Sequence, residues 1–153
     1  MAQGDVIFFD QALVDALEGV HNLETDTIKV ALTDGSVTTP SATTADPRWG
    51  AGGTTDLSAE EVAAGGNYAA GGATPAAPEV TLTGGLAQFD AGDVSWAQDA
   101  SNPTDATHAI IYNDTAAGKN AIGFVDIGGV FDMTTGDLSI AWNANGIARL
   151  DQA

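Results

Sequence analysis

Two histidines are the residues best suited to acid–base chemistry, because an imidazole can act as a general base near neutral pH. His21 follows a helical pattern and His108 lies within a strand pattern. No G-x-S-x-G nucleophile elbow accompanies them, since Ser36 follows Gly35 but has no second flanking glycine. The chain has no cysteine, which excludes a cysteine nucleophile and a thiolate metal site. We predict structural roles for both histidines and no enzyme activity, with a Ser–His–Asp set assembled in space left open.

One glycine–lysine pair raises the question of phosphate binding. Gly118–Lys119 resembles the end of a phosphate-binding loop. That motif also requires a glycine at position 113 and a serine or threonine at position 120. The chain has Asn113 and Asn120 there instead. We therefore predict no nucleotide site in this segment.

One acidic loop contains the ligand types that calcium prefers. It includes Asp99, Ser101, Asn102 and Asp105, and calcium binds carboxylate and amide oxygens. The spacing of these residues matches no calcium-binding motif, so we predict no metal site and no cofactor. A carbohydrate- or calcium-dependent binding module remains an alternative, with Trp49 and the acidic loops as its site.

Four large side chains are candidates for contact with a partner. Arg48 and Trp49 lie in the middle of a polar segment, and these residue types dominate the hot spots of protein interfaces. Phe8 and Phe9 are adjacent, and a helix cannot bury both on one narrow stripe. We predict that Phe8, Phe9, Arg48 and Trp49 contact a partner. For Trp49 the alternative is a ring that folds back over the domain as a lid.

The elements that position these residues begin with a helix. Residues 8–18 have apolar side chains at helical spacing on one side, with Gly19 as a stop. The apolar residues are Phe9, Ala12, Leu13, Ala16, Leu17 and Val20. Ser58 and Glu61 have the spacing of a capping box, which predicts a short second helix that ends at Gly65.

Strands dominate the rest of the pattern. Segments rich in β-branched residues, several with alternating apolar and polar positions, are separated by glycine pairs that favour turns. The predicted strands are 27–33, 79–83, 86–90, 93–97, 107–113, 121–127, 137–143 and 146–150, and residues 34–56 form a long loop. This pattern predicts one mainly β domain over residues 1–153, an antiparallel sandwich or barrel of jelly-roll-like type with a short N-terminal helix.

The charge balance excludes further classes of partner. The chain has 21 acidic and 4 basic residues, which gives a net charge of −17. Nucleic-acid binding depends on neutralising phosphates, and four scattered cations cannot do that; anionic membranes are disfavoured for the same reason. The first basic residue is Lys29, and no run of about 20 apolar residues occurs. We expect a protein made in a cytoplasm, without nucleic-acid or membrane partners.

Seven segments in a fixed order carry a family resemblance that covers nearly the whole chain. They are F-x-x-A-L (Phe9, Ala12, Leu13), Asp26 to Leu32, Gly66 to Gly72, Phe89 to Trp96, Ala109 to Thr115, Val125 to Gly128 and Ile140 to Ile147. In this order they resemble the head decoration, or cement, proteins of tailed phages.

The resemblance implies a structural virion protein. Such a protein binds the outer surface of the expanded capsid and clamps neighbouring subunits of the major capsid protein. It also implies a β-sandwich-like fold, with a homo-trimer as a candidate arrangement. A component of the neck or tail of the phage is the alternative within the same structural class. The resemblance names no residue-level binding site.

Overall fold

The computed structural model describes residues 5–151 of the 153-residue chain, and strands dominate this part. It contains helix α1 (Asp10–Leu17) and a 3-10 helix at Leu57–Glu60. The strands are β1 (Ile7–Phe8), β2 (Ile28–Thr33), β3 (Pro47–Arg48), β4 (Thr55–Asp56), β5 (Glu79–Thr83), β6 (Leu86–Asp90), β7 (Val94–Trp96), β8 (Ala106–Asn113), β9 (Ala121–Phe131), β10 (Leu138–Ile140) and β11 (Ala148–Asp151).

The largest sheet has four antiparallel strands in the order β1-β9-β8-β2. Strands β2 and β8 pair in unbroken register, from Ile28 opposite Asn113 to Thr33 opposite His108. Both strands are buried along most of their length. This double burial explains why their central residues, 30–32 and 109–112, are apolar without alternation.

Alternate residues of this sheet contribute to two hydrophobic clusters, one on each face. The first cluster joins Val30, Leu32, Ala109 and Ile111 to residues of the smaller sheets, which include Phe89, Val94, Trp96, Leu138 and Ile140. The second joins Ala31, Ile110, Tyr112 and Phe124 to Phe9, Ala12, Trp49 and Leu57. The central sheet is therefore covered on both sides.

Two smaller antiparallel sheets complete the β structure. Strands β7 and β10 form one pair, and the other sheet has the order β11-β6-β5. The β5–β6 hairpin turns at Gly84 and Gly85, which both have positive φ (61° and 88°). Positive φ at both positions is the geometry of a type I′ turn, the connection that suits the twist of paired strands.

Most of the predicted elements are confirmed, and one prediction is wrong in detail. The mainly β class and the helix near residues 8–18 are confirmed, and the described strands form several antiparallel sheets but no closed barrel. The capping box at Ser58 and Glu61 is wrong. Asp56 caps the 3-10 helix instead, because its side chain accepts a hydrogen bond from the Ser58 N–H.

The segment 34–56 is mostly irregular, as the sequence predicted, and its Trp49 packs into the second hydrophobic cluster. Strands β3 and β4 pair in parallel within it, with Pro47 opposite Thr55. Asp46 adopts a positive φ of 39° immediately before β3. The Trp49 N–H donates to the Lys119 carbonyl (2.9 Å), which ties the segment to the turn that precedes β9.

Candidate functional site

Helix α1 buries only part of the apolar stripe that its sequence predicts, namely Phe9 and Ala12. We expected Leu13, Ala16 and Leu17 to face the core, and all three are exposed, with Leu17 at 92% and Leu13 at 60%. The side chains of the helix that are buried are Ala12 and Asp15. Leu13, Ala16 and Leu17 therefore face outward, whereas Ala12 and the Asp15 carboxylate face inward.

Hydrogen bonds from distant residues hold Asp15 in this buried position. Asn120 Nδ2 donates to Asp15 Oδ2 (2.7 Å), and Gln11 Nε2 donates to Asp15 Oδ1 (3.0 Å). Arg48 Nη1 donates to Asn120 Oδ1 (2.7 Å), which links the same cluster to β3. A buried carboxylate is tolerated when such donors satisfy its oxygens. These contacts fix the rotation of α1.

His21 lies beside this cluster and is held in its neutral form. Asn113 Oδ1 accepts from the N–H groups of Thr115 and Ala116, which orients the Asn113 amide group so that its Nδ2 faces His21 Nδ1 at 3.2 Å. His21 Nδ1 is therefore an acceptor, and the proton lies on Nε2, 3.9 Å from Asp15 Oδ2. Burial lowers the pKa of His21, against the opposing effect of the nearby aspartates.

The three-stranded sheet extends the exposed apolar stripe. Residues directly opposite one another in an antiparallel pair lie on one face. Val80, Phe89 and Ala148 form one such row, and Leu82, Ala87 and Leu150 form the next. Phe89 is buried, whereas Leu82 and Leu150 are 75% and 73% exposed. One face of this sheet is therefore apolar and largely uncovered.

A groove joins the helix to this sheet. Its lining is mostly apolar and includes Leu13 and Ala16 of the helix and Phe89, Ala148 and Leu150 of the sheet, together with Phe8, Leu23, Ile122 and Ile147. His21 and Arg149 are its polar lining residues. We call the helix stripe, this groove and the apolar sheet face together the apolar surface. Exposed acidic residues lie in the chain segments that form or adjoin this surface. They are Asp10, Glu18, Glu24 and Asp151.

The four predicted contact residues do not lie together. Phe8 belongs to β1, is partly buried and lines the groove. Phe9 is fully buried at the helix N-cap and packs on Phe124, with ring centroids 5.3 Å apart. The expectation that Phe9 presents a contact face is therefore wrong for the folded chain. Sequence reasoning placed Phe8 and Phe9 in one helix, whereas a strand ends between them.

Trp49 is also buried, in agreement with the lid alternative and not with an exposed hot spot. Its ring is 5% exposed and stacks on Tyr112, with centroids 5.0 Å apart and planes 15° apart. Arg48 is partly buried and bonded within the chain, with its Nε 2.8 Å from Asp46 Oδ1. A contact by Trp49 would require segment 34–56 to leave the second hydrophobic cluster.

Other polar clusters are used by the fold. In the acidic loop, Asp99 Oδ1 accepts from the Ser101 N–H, and Asn102 Nδ2 donates to the carbonyls of Ala97 and Met133. Within residues 5–151, no three His, Cys, Asp or Glu residues are grouped so that they could hold a metal ion. Tyr68 donates to Glu61 and accepts from the Leu32 N–H, and burial raises its pKa.

Lysines are engaged in ion pairs as well. Lys29 Nζ and Lys119 Nζ lie 3.0 and 2.8 Å from the carboxylate of Asp114. The Lys119 ammonium group is the main reason why the pKa of Asp114 is lowered.

In the described residues, no helix is long and apolar enough to span a membrane.

The sequence analysis did not identify the apolar surface, because the residues that form it lie in segments far apart in the chain. The sequence predicted residues 79–83 as a strand, and all five residues of this strand, β5, are exposed. Searches against protein-family models, curated proteins and solved structures returned no match for this chain.

Proposed function

We propose that this chain is a non-catalytic binding protein that attaches to another protein through the apolar surface. One observation carries the proposal: α1 buries Asp15 and presents Leu13 and Leu17 to solvent. The hydrogen bonds to Asp15 fix this orientation and leave Leu13 and Leu17 as apolar side chains that a partner can cover.

The energy available from covering this surface is substantial. Burying a fully exposed leucine contributes about 1.5–3 kcal/mol. Leu17, Leu82 and Leu150 are each more than two-thirds exposed and belong to the same surface. Contiguous apolar patches of this kind mark interaction sites in proteins. The net charge of −17 opposes association of free copies through this patch.

The partner that we propose is the major capsid protein of a tailed phage. The chain would then be a head decoration protein, located on the capsid exterior, with the β-sandwich-like fold that the family resemblance implies. The acidic charge supports this placement, because a protein displayed on a DNA-filled shell should not bind DNA. A protein clip between coat subunits must dissociate before the subunits separate, and this stabilises the shell.

Quantitative attachment to capsids tests the proposal. Purified protein should bind expanded capsids of the phage that encodes it until the lattice sites are filled. Saturating protein should also raise the temperature at which the capsids release DNA, by mass action. The double variant L13S/L17S should fold normally and bind at least about 100-fold more weakly, from the loss of two leucine contacts.

The control variant is Val130→Ser, which removes a side chain 72% exposed on β9 outside the apolar surface. It should attach like the wild-type protein. Equal attachment of L13S/L17S and the wild-type protein would reject the apolar surface as the binding site. Location of the protein at the neck or tail, with bare capsids, would reject decoration in favour of the neck or tail alternative.

A further inference from the structure

Strand β5 is a sheet edge without the usual protection. It lies at the end of the order β11-β6-β5, and all five of its residues are exposed. An uncovered edge presents free N–H and C=O groups that can pair with another strand. Native proteins protect such edges with lysine, proline or a bulge. The segment E-V-T-L-T has no lysine or proline, and its pairing with β6 is unbroken.

The hairpin geometry identifies the backbone groups that point outward. Thr83 and Leu86 close the two-residue turn at Gly84 and Gly85. In a type I′ hairpin the residues that close the turn exchange both of their backbone hydrogen bonds. Hydrogen-bonded and non-hydrogen-bonded pairs then alternate along the ladder. The N–H and C=O groups of Val80 and Leu82 therefore point away from β6.

We propose that β5 pairs with β5 of a second copy of this chain, antiparallel about a two-fold axis at Thr81. Val80 then lies opposite Leu82 of the second copy, and each of these two pairs exchanges two backbone hydrogen bonds. The apolar side chains meet on the same face of a continuous six-stranded sheet. A two-fold contact of this kind uses the same patch on both copies and closes at a dimer.

The charges near the axis permit this register. Glu79 lies opposite Thr83 of the second copy, so no like charges face each other directly. The two Glu79 residues are four positions apart along the strands, or about 13 Å at 3.3 Å per residue. This distance exceeds the Debye length of about 8 Å at physiological ionic strength. The remaining net charge still opposes association, so salt should strengthen the dimer.

The contact is small and should be weak in dilute solution. An edge of five residues buries less than the roughly 1,200–2,000 Å² of a stable interface. Copies fixed side by side on a capsid would pair at a high effective concentration; this one consequence rests on the proposed function. The two-fold register predicts a dimer, whereas the family resemblance implies a homo-trimer.

Sedimentation velocity of the purified protein without capsids tests the pairing. Between about 10 and 500 μM we expect a reversible monomer–dimer equilibrium that tightens from 50 to 500 mM NaCl. Val80→Pro removes an outward N–H without removing a bond to β6, and proline is accepted at such edge positions. Leu82→Lys places a charge on the edge while making the chain less acidic. Each should raise the dissociation constant about ten-fold or more.

Leu150→Lys is the matched control, because Leu150 is equally exposed on the same sheet face but belongs to β11. It should dimerise like the wild-type protein, and so should L13S/L17S, even if capsid attachment is lost. A monomer under all conditions, a trimer, or equal weakening by Leu150→Lys and Leu82→Lys would overturn the proposal. Circular dichroism confirms folding of each variant. Leu82→Lys alters a mostly solvated side chain, so it tests the pairing even if Val80→Pro fails to fold.

Discussion

Trp49→Ala is expected to lower the free energy of unfolding by about 3–5 kcal/mol, the usual cost of truncating a buried tryptophan. The ring is 5% exposed and stacks on Tyr112 at a centroid distance of 5.0 Å. The bond from the Trp49 N–H to the Lys119 carbonyl is made by the backbone, so alanine can retain it. The predicted loss therefore comes from ring packing in the second hydrophobic cluster.

Urea unfolding followed by far-ultraviolet circular dichroism measures this loss. Fluorescence is unsuitable because the substitution removes one of the 3 tryptophans. The midpoint should fall while the slope stays unchanged, and the melting temperature should fall by roughly 10 °C for a chain of this length. Trp49→Phe keeps an aromatic ring against Tyr112 and should cost much less. If Trp49→Ala had a free energy of unfolding within about 0.5 kcal/mol of wild type but lost partner attachment, this reasoning would be refuted. Trp49 would then be a contact residue.

Three further outcomes are expected. In urea unfolding, Gly72→Ala should lower the free energy of unfolding by several kcal/mol more than Gly19→Ala does. Both glycines have φ of 73°, but only at position 72 would an added Cβ collide with the Val30 carbonyl oxygen. Equal losses for the two variants would contradict this packing. Burial lowers the pKa values of His21 and His108 below the ordinary 6.5, so the unfolded chain takes up their protons first as the pH falls. The two neutral histidines contribute fully to stability above pH 6.5. Below pH 6.5 the free energy of unfolding falls by up to about 1.4 kcal/mol per pH unit for each histidine. His21→Gln should reduce that slope in unfolding experiments between pH 7.5 and 5.5, and an unchanged slope would contradict the neutral buried imidazole. Leu17→Ser should leave the unfolding free energy within about 0.5 kcal/mol of wild type, whereas a loss of 2 kcal/mol or more would show that Leu17 faces the core.

Local pattern was sufficient to predict the strands around well-defined turns. The β5 and β6 boundaries match the prediction to the residue, because Gly84 and Gly85 fix the turn between two runs of β-forming residues. Strand β9 extends beyond the predicted 121–127 to Phe131. Its pairing with β8 resumes after a register shift, with Ala106 opposite Phe131. A bulge of this kind depends on the partner strand, so the segment alone did not predict it.

The orientation of α1 could not be predicted from its own residues. Periodicity favours burial of Leu13 and Leu17, but the bond from Asn120 to Asp15 joins residues 105 positions apart. The burial of Trp49 likewise depends on Tyr112, on another strand. Long-range polar and aromatic contacts thus decide which side chains are left for a partner. The sequence predicted a binding role, but it assigned that role partly to side chains that the fold uses as core.

The most direct test is a cryo-electron microscopy reconstruction of expanded capsids saturated with this protein. We predict density for the chain on the outer surface at junctions between coat subunits, with Leu13, Leu17 and Leu150 against a coat subunit. Density that leaves α1 and the apolar sheet face open to solvent would contradict the account.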